Sequence, residues 1–343
     1  DTKERSIVTS SLTPEQRDRV EKKGFDRLFA SLPGLLATCA VCCFLWGSAF
    51  PSIKIGYRLF GIPGDDVSSQ MLFAGVRFII AGAMVIIGMS AARKKPLVPR
   101  KRDVRSILFL ALFQTVLQYV FFYRGLSQAS GVTSSIVTAS SNFIAILLSC
   151  LLFRTERLTA RKILGCAAGF GGVALINIAG MGAGETLGFT LGGEGMILLA
   201  AVAGAMSTCL IGVLGKHHDP VMLSGWQFLA GGTVLAIAAA AAGVRLSPAE
   251  PLPALALIVY MGFISAMAYS LWSRLLAVNP VSRVTVFGFM NPMFGFLLSM
   301  VLLDEGSMVN PGVAALALAL VCMGIIIVNI PVRRTHADSV PNR

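Results

Sequence analysis

Two stretches of the sequence decide how this chain folds: Asn142–Glu156, NFIAILLSCLLFRTE, and Asn291–Glu305, NPMFGFLLSMVLLDE. Both begin with asparagine, continue through apolar residues and end on glutamate. Nearly the same spacing, about 150 residues, relates Arg77–Gly82, RFIIAG, to Gln227–Gly232, QFLAGG. Self-similarity at a nearly constant spacing indicates a repeat, so the chain is predicted to consist of two copies of one unit.

The composition of the chain is that of a membrane protein. Of its 343 residues, 55% are hydrophobic and 13% are charged, and the mean hydropathy is +0.75. A soluble domain carries about 25% charged residues, so a typical cytosolic globular protein is excluded. The apolar residues fall into runs of about 18 to 24, a length that crosses the hydrocarbon core of a bilayer. The chain is therefore predicted to be one membrane domain.

Ten such runs predict ten transmembrane helices. Three of them open with a capping residue followed by proline, at Asp219-Pro220, Asn279-Pro280 and Asn310-Pro311. Proline suits this position because its missing N–H costs nothing in a first helical turn. The helices are predicted near residues 34–56, 70–90, 106–127, 132–153, 160–179, 194–214, 220–242, 252–274, 281–303 and 311–330.

Five spans in each repeat make the number of membrane crossings odd. An odd number places the second copy upside down relative to the first, which is the inverted-repeat plan of secondary transporters. The predicted fold class is therefore an all-α membrane protein with ten transmembrane helices in two inverted five-helix repeats. The repeats are predicted at 32–180 and 194–330, with a linker at 181–193 and tails at 1–31 and 331–343.

Basic residues are distributed unevenly between the two membrane faces. The net charge is +12, and 24 of the 29 Lys and Arg residues lie on the face where helix 1 begins, which we name the basic face. They form short clusters between apolar runs and not a basic surface with interleaved aromatics, so nucleic acid is not an expected partner. The positive-inside rule places the basic face and both termini in the cytoplasm. The expected location is the plasma membrane, the inner membrane of a bacterium.

The segment before helix 1 has two interpretations. Thr13-Pro14-Glu15-Gln16 carries a capping-box pattern and precedes apolar residues interspersed with Lys and Arg. It predicts either a short amphipathic helix on the anionic leaflet or the start of a solvated helix.

Arg77 is the charged residue predicted deepest in the membrane. It lies about seven residues into helix 2, roughly 10 Å along the axis. An arginine at a helix centre costs about 2.5–3.5 kcal/mol on insertion scales, so such residues usually face a polar interior. Arg77 is predicted to attract a carboxylate or phosphate or to brace neighbouring carbonyls; the alternatives are that it snorkels to the outer surface or is a structural tie. Its repeat counterpart Gln227 lies at similar depth from the opposite face, which suggests unequal gates.

Polar and aromatic residues alternate along helix 3. Gln114 and Gln118 are one α-helical turn apart and are predicted to share a face, with Tyr119 and Tyr123 beside them. Amides and phenols supply hydrogen-bond donors and acceptors without a charge. These residues are predicted to line a cavity, and the alternative is hydrogen bonding between helices.

Four aromatic residues suggest an enclosure for an apolar or cationic group. They are Trp46, Trp226, Tyr269 and Trp272. A single tryptophan is more often an anchor at the membrane interface. Trp272, predicted near a membrane boundary, is interpreted as such an anchor.

Asn291-Pro292 lies in the middle of predicted helix 9. Proline removes one backbone hydrogen bond and frees a carbonyl, so Pro292 is predicted to be a hinge. Asn142 is the polar counterpart of Asn291 in helix 4. Glu156 and Glu305 end their helices and are predicted to cap the next helix or to brace a loop.

The order of these motifs resembles that of the drug/metabolite transporter superfamily, in particular its EamA-type ten-helix members. The resemblance implies transport through a central cavity lined mainly by helices 1–4 and 6–9, with helices 5 and 10 peripheral. Members carry amino acids, other metabolites, choline-like cations or drugs, so the resemblance does not identify the substrate. The first repeat has Asn142-Phe143 where the family often has proline. The residues that carry the resemblance are Trp46-Gly47-Ser48-Ala49-Phe50, Arg77-Phe78, Glu156-Arg157-Leu158-Thr159, Asn291-Pro292 and Glu305.

These features predict a secondary transporter that exports or exchanges a small polar metabolite such as an amino acid. No Asp or Glu falls inside a predicted span and no P-loop pattern occurs, so uniport, exchange or coupling through the substrate's own proton is favoured. The rivals are transport of quaternary ammonium compounds or drugs, and a non-transporting membrane enzyme or lipid-handling protein. We interpret the seven cysteines as small hydrophobic residues. The expected partners are a small-molecule substrate and the lipid bilayer, without a cofactor, for a monomer or homodimer.

Overall fold

The computed structural model describes residues 26–129, 131–181, 189–248, 250–302 and 310–330. These ranges contain ten helices long and apolar enough to cross a membrane, which confirms the predicted fold class. The predictions for Thr13–Gln16, Glu305 and 331–343 lie outside the described residues. The helices are α1 Leu32–Phe60, α2 Val67–Arg93, α3 Lys101–Leu126, α4 Gly131–Leu151, α5 Ala160–Ala179, α6 Glu194–Leu214, α7 Pro220–Ala241, α8 Pro251–Val278, α9 with consecutive segments Val281–Thr285, Val286–Phe289 and Met290–Leu302, and α10 Pro311–Asn329.

Two of the three predicted helix starts have the expected side-chain cap. Asp219 accepts hydrogen bonds from the first turn of α7, and Asn310 accepts one from Gly312 N at 2.8 Å. The predicted cap by Asn279 is wrong. Its amide instead donates to the carbonyl of Phe29 at 3.0 Å, which ties the end of α8 to the start of α1. No signal in the local sequence distinguishes this long-range contact from a cap.

The helices pack as a twofold-related pair of repeats. α2 packs mainly against α7, and α5 packs against α10, so each of these helices contacts its own counterpart. α1 packs against α8 and α9, and α6 packs against their counterparts α3 and α4. This exchange of partners is what a twofold relation between two five-helix repeats requires.

Glycines bring α2 and α7 into close contact. A Cβ on Gly82 would lie 2.7 Å from the carbonyl oxygen of Gly225, and one on Gly232 would lie 2.8 Å from the carbonyl oxygen of Gly75. Only glycine permits this approach, and small residues are the usual means by which membrane helices pack closely. The two pairs run in opposite order along the two helices, so α2 and α7 are antiparallel.

The twofold axis passes between two phenylalanine rings. Phe78 of α2 and Phe228 of α7 lie midway between the glycine pairs, and their rings stack with centroids 5.0 Å apart and planes only 5° from parallel. An offset stack of this kind is a favourable aromatic geometry. The repeats therefore meet at a packed aromatic centre.

Contacts at the basic face show the inversion. His218, which follows the end of α6, contacts Asp103 in the first turn of α3, and the end of α8 contacts Phe29, just before α1. The first-repeat helices α1 and α3 therefore begin at the basic face, where their counterparts α6 and α8 end. The second repeat is upside down relative to the first.

Candidate functional site

Arg77 is buried in the middle of the bundle. Its side chain is 4% exposed, and its guanidinium carbon lies 4.5 Å from the ring centroid of Phe78 and 5.6 Å from that of Tyr119. In the described part of the chain, no carboxylate lies within ion-pair distance of Arg77, and its Nε has no hydrogen-bond partner. The charge is therefore stabilised by aromatic rings and not by a counter-ion.

Four tyrosines lie close enough to this guanidinium to interact with its charge. Tyr57 of α1, Tyr119 and Tyr123 of α3 and Tyr269 of α8 all lie within electrostatic range of Arg77. Tyr119 faces Tyr269, and Tyr57 faces Tyr123. We name these four residues the tyrosine cage. It confirms that Arg77 faces a polar interior and does not snorkel to a membrane surface.

Tyr57 was missed by the sequence analysis. The apolar run of helix 1 is predicted to end near residue 56, but α1 continues to Phe60. Tyr57 therefore lies in the helix and not in a connection, and its hydroxyl is buried. A helix with Lys54 and Arg58 in its last turns loses its apolar signal before it ends, which is why the prediction stopped early.

A row of aromatic rings extends from the tyrosine cage across the bundle. Successive rings belong to different helices, and their centroids are 4.7 to 5.0 Å apart. The row joins α8, α1, α7, α2 and α3, so it crosses from one repeat to the other. In order, its members are Trp272, Trp46, Tyr269, Phe228, Phe78 and Tyr119.

Neither Trp272 nor Trp226 has the predicted environment. Trp272 is not an interfacial anchor, because it is 6% exposed and its ring contacts Trp46. α8 runs on to Val278, so Trp272 lies more than a turn inside the helix end. Trp226 is not part of the ring row in the described residues. Its indole N–H donates to the carbonyl of Leu97 at 2.7 Å, in the connection between α2 and α3.

The common face predicted for Gln114 and Gln118 remains a prediction. Gln114 lies in a π-helical segment, Ala111–Leu117, and Gln118 begins the α-helical segment that follows it. Gln114 is buried, whereas the amide of Gln118 lies against Gly204 of α6. Such π segments frequently occur at functional sites.

Gln227 contacts the same π-helical segment. It is fully buried, and its side-chain oxygen accepts a hydrogen bond from the hydroxyl of Thr115 at 2.8 Å. The residue that joins Gln227 to α3 is therefore Thr115, which the sequence analysis did not select. Gln227 has no aromatic cage comparable to that of Arg77 among the described contacts.

α9 is distorted next to Pro292, and α4 is regular. The Val286–Phe289 segment of α9 is a 3-10 helix, and proline at position 292 clashes with the carbonyl four residues earlier, that of Gly288. Asn142 packs against Gly288, because a Cβ there would lie 2.1 Å from the Asn142 side-chain oxygen. α4 is continuous through Asn142. The hinge at Pro292 remains a prediction, now with a distorted segment beside it.

Five of the predicted site residues carry a buried polar atom without a hydrogen-bond partner among the described residues. Leaving such an atom unpaired costs about 1–3 kcal/mol, and native proteins contain few of them. The atoms are Trp46 Nε1, Arg77 Nε, Gln114 Oε1, Gln227 Nε2 and Asn291 Oδ1.

Glu156 and Asp219 both form hydrogen bonds and ion pairs at the basic face. Glu156 accepts a hydrogen bond from the backbone N–H of Ser282 at 3.1 Å and pairs with Lys162 at 2.7 Å. The prediction that Glu156 caps the next helix in the sequence is wrong, because Thr159 caps α5 and Glu156 instead accepts a hydrogen bond from the first turn of α9. Burial alone would raise the pKa of Asp219, yet its ion pair with Arg93 and the backbone N–H groups of α7 lower it.

The described residues contain no cluster of three or more His, Cys, Asp or Glu side chains arranged to hold a metal ion. In the described part of the bundle interior, the polar groups are instead the Arg77 guanidinium, phenols, amides, indoles and the hydroxyls of serine and threonine. These groups bind and orient a solute by hydrogen bonds, charge and ring contacts.

Comparison with known proteins gives consistent results. The model of the EamA-like transporter family matches residues 32–178 and 191–330. An uncharacterized transporter of Synechocystis sp. is 28% identical over 76% of this chain and 80% of its own length. A probable terminal-alkyne amino-acid exporter of Streptantibioticus cattleyicolor is 27% identical over 84% of this chain and 90% of its own. One solved crystal structure has a TM-score of 0.70 at 19% identity, over 87% of this chain and 97% of that one.

Proposed function

We propose that this chain, which belongs to the EamA-like transporter family, carries a small metabolite with a carboxylate group, such as an amino acid. The coarser function follows from the family: the chain is a multi-pass membrane transporter, and members of this family are not enzymes. The substrate, its direction and the membrane are the parts that we propose.

The observation that carries the proposal is the unpaired charge of Arg77. A buried cation without a counter-ion is strongly unfavourable. The two acidic residues in the described spans, Asp103 and Glu194, lie at helix ends and bond to His218 and Thr190. A carboxylate supplied by the substrate would therefore be the counter-ion of Arg77, bound through the two-pronged geometry that guanidinium offers.

The ring row beside Arg77 supports a zwitterionic substrate. Trp46, Tyr269 and Trp272 present aromatic faces and edges and the unpaired indole N–H of Trp46. Aromatic faces attract an ammonium group by the cation–π effect. An amino acid would bind through its carboxylate at Arg77 and through its ammonium group at the aromatic rings. A quaternary ammonium ion is less favoured, because it would be repelled by Arg77 without offering an anion.

We propose export or exchange across the plasma membrane. One relative carries the name of a probable terminal-alkyne amino-acid exporter. No carboxylate in the described residues lies in the middle of a span to relay protons, so uniport, exchange or coupling through the substrate's own proton is the expected mechanism.

Counterflow in proteoliposomes tests the substrate class. Vesicles that contain purified protein and an unlabelled amino acid should accumulate the labelled amino acid, across a panel of neutral amino acids. The corresponding amino-acid amides, which lack the carboxylate, and choline should be exchanged poorly. Equal exchange of the amides would contradict the role assigned to the carboxylate, and exchange of choline alone would favour the rival substrate.

Arg77→Gln and Arg77→Lys test the residue. The glutamine variant should lose exchange, and the lysine variant should keep part of it, because lysine retains the charge but not the planar fork. Arg105→Gln is the matched control: Arg105 is an exposed arginine near the start of α3, with its guanidinium 5.7 Å from the ring of Phe109. It should exchange as the unmodified protein does. Unchanged amino-acid exchange by Arg77→Gln would leave Arg77 a structural residue.

A further inference from the structure

Among the polar contacts at the basic face, three place a carboxylate of one repeat against the other repeat. The Arg93 guanidinium at the end of α2 pairs with the Asp219 carboxylate at the start of α7. The imidazole Nδ1 of His218 lies 2.6 Å from a carboxylate oxygen of Asp103. These two pairs lie side by side and line one surface pocket.

The third contact joins the end of α4 to the start of α9. The Glu156 carboxylate accepts hydrogen bonds from the backbone N–H and the hydroxyl of Ser282. Glu156 is held in turn by Lys162 of its own repeat. The carboxylate therefore crosses from the first repeat to the first turn of a second-repeat helix.

The contacts differ in how well water screens them. The Arg93 and Asp219 side chains are 42% and 29% exposed, whereas those of His218 and Asp103 are 14% and 7% exposed. Exposed ion pairs are weak, but separating a buried pair leaves an uncompensated charge. With His218 protonated, the Asp103–His218 pair is therefore the stronger of the two.

At the opposite face, the polar side chains at helix starts bond within their own segment. Asp66 accepts hydrogen bonds from Ser69 at the start of α2, and Glu194 accepts them from Thr190 at the start of α6. Every ion pair between the repeats in the described ranges lies at the basic face. The two faces of the bundle thus differ in the polar contacts that their described residues make.

We propose that Arg93–Asp219, Asp103–His218 and Glu156–Ser282 form a latch that keeps the transporter closed at the basic face, and that the charge of His218 sets the strength of this latch. Alternating access moves one repeat against the other, so opening at this face separates α2 from the start of α7 and α3 from the α6–α7 connection. The latch contacts must break in that step.

The charged groups around His218 determine the direction of the effect. Asp103 of α3 faces it directly, and the same pocket is lined by Arg93, Arg100, Arg102, His217 and Asp219. Imidazole changes its charge between about pH 5 and 8. Protonated His218 forms an ion pair with Asp103, and neutral His218 keeps only a hydrogen bond. Raising the pH therefore weakens the latch and favours opening at the basic face.

Hydrogen–deuterium exchange of the purified full chain without substrate tests the latch. The connections 94–100 and 215–219 should exchange at least about fivefold faster at about pH 8 than at about pH 5.5, after correction for the intrinsic rates. Asp103→Asn should exchange fast at both values, because it removes the charge partner and keeps an acceptor for the Arg100 backbone N–H. His218→Gln should lose the pH dependence.

His217→Gln is the matched control. His217 lines the same pocket, but no side-chain hydrogen bond or ion pair of it is found among the described residues. It should keep the full pH dependence. An unchanged exchange rate in the unmodified protein, or the same pH dependence in His218→Gln, would overturn the proposal. Because substrate is absent, either result leaves the proposed carboxylate substrate untouched.

Discussion

α2 and α7 occupy equivalent positions in the two repeats, yet they share packing and differ in chemistry. Each carries two glycines seven residues apart, and each glycine faces the partner helix. At the next equivalent position, α2 has Arg77 within the tyrosine cage and α7 has Gln227 bonded to Thr115. Close packing therefore requires glycine in both repeats, whereas only one repeat carries a charge at the equivalent position.

α4 and α9 also occupy equivalent positions and differ at one residue. Asn142 and Asn291 are equivalent, but the residue that follows is phenylalanine in α4 and proline in α9. α4 is regular, and α9 contains a 3-10 segment at Val286–Phe289. The helix of one repeat is therefore regular at this position, and its counterpart is distorted beside Pro292, the predicted hinge.

The largest expected effect comes from moving the charge to the other repeat. Arg77→Gln combined with Gln227→Arg preserves the net charge, but the new arginine would lack the tyrosine cage. Counterflow should fall by about 30-fold or more, since loss of a buried charge partner costs about 2–5 kcal/mol. Arg77→Gln alone should raise the melting temperature, because it removes an uncompensated buried charge. Full counterflow in the exchanged protein would show that the two positions are equivalent.

Exchanging the residues after the asparagines should have the next largest effect. Phe143→Pro places proline inside a regular helix and should destabilise the protein by about 3 kcal/mol. Pro292→Ala restores an N–H for the Gly288 carbonyl, so it should raise the melting temperature and slow counterflow if α9 bends there. Pro251→Ala, at the first turn of α8, is the control and should change neither. If counterflow by the Pro292→Ala protein were faster than that of the unmodified protein, Pro292 would not be a hinge.

Replacing the equivalent glycines of α2 and α7 with alanine should have a smaller effect, and the effect should differ between the two helices. A Cβ on Gly75 would lie 2.7 Å from the backbone nitrogen of Ala236, whereas one on Gly225 would first meet a methyl group of Val85 at 2.9 Å. A side chain moves aside more readily than backbone. Gly75→Ala should cost about 1–3 kcal/mol, and Gly225→Ala should cost less. Gly88→Ala meets no atom within 4 Å and is the control, measured by thermal unfolding in detergent.

The smallest expected effect concerns the caps of the same two helices. Hydrogen bonds from Ser69 lower the pKa of Asp66, which caps α2, and the pKa of Asp219, which caps α7, is lowered as well. A lowered pKa in the folded state contributes stability that is present above the unfolded value, about 3.9, and is lost as the pH falls through the folded value. Asp66→Ala should cost about 1 kcal/mol. Asp219→Ala should cost more, since Arg93 loses its partner.

Thermal unfolding between about pH 7 and about pH 3 separates charge from capping. Asp66→Asn keeps a cap acceptor without a titrating group, so its melting temperature should fall less on acidification than that of the unmodified protein. The same slope in both proteins would show that the Asp66 charge contributes nothing to the stability of α2.

Several site residues were predictable because the cost of burial limits where they occur. Arg77, Gln227 and Asn291 are polar residues inside apolar runs, and a polar residue in a membrane span is a functional candidate by default. Tyr57 and Thr115 were not predictable by this reasoning. A tyrosine beside Arg58 at a predicted helix end looks like an interfacial residue, and threonine is common at helix contacts.

The sequence by itself determined the ten helices, their division into two repeats and the inversion. Apolar length and an odd number of spans suffice for these features, because the bilayer leaves few other arrangements for a backbone. Tertiary structure alone decided which side chains meet. The hydrogen bond between Thr115 and Gln227, the ring contact of Trp272 and the capping of α9 by Glu156 depend on local helix geometry and long-range approach. Neither leaves a periodic signal in the chain.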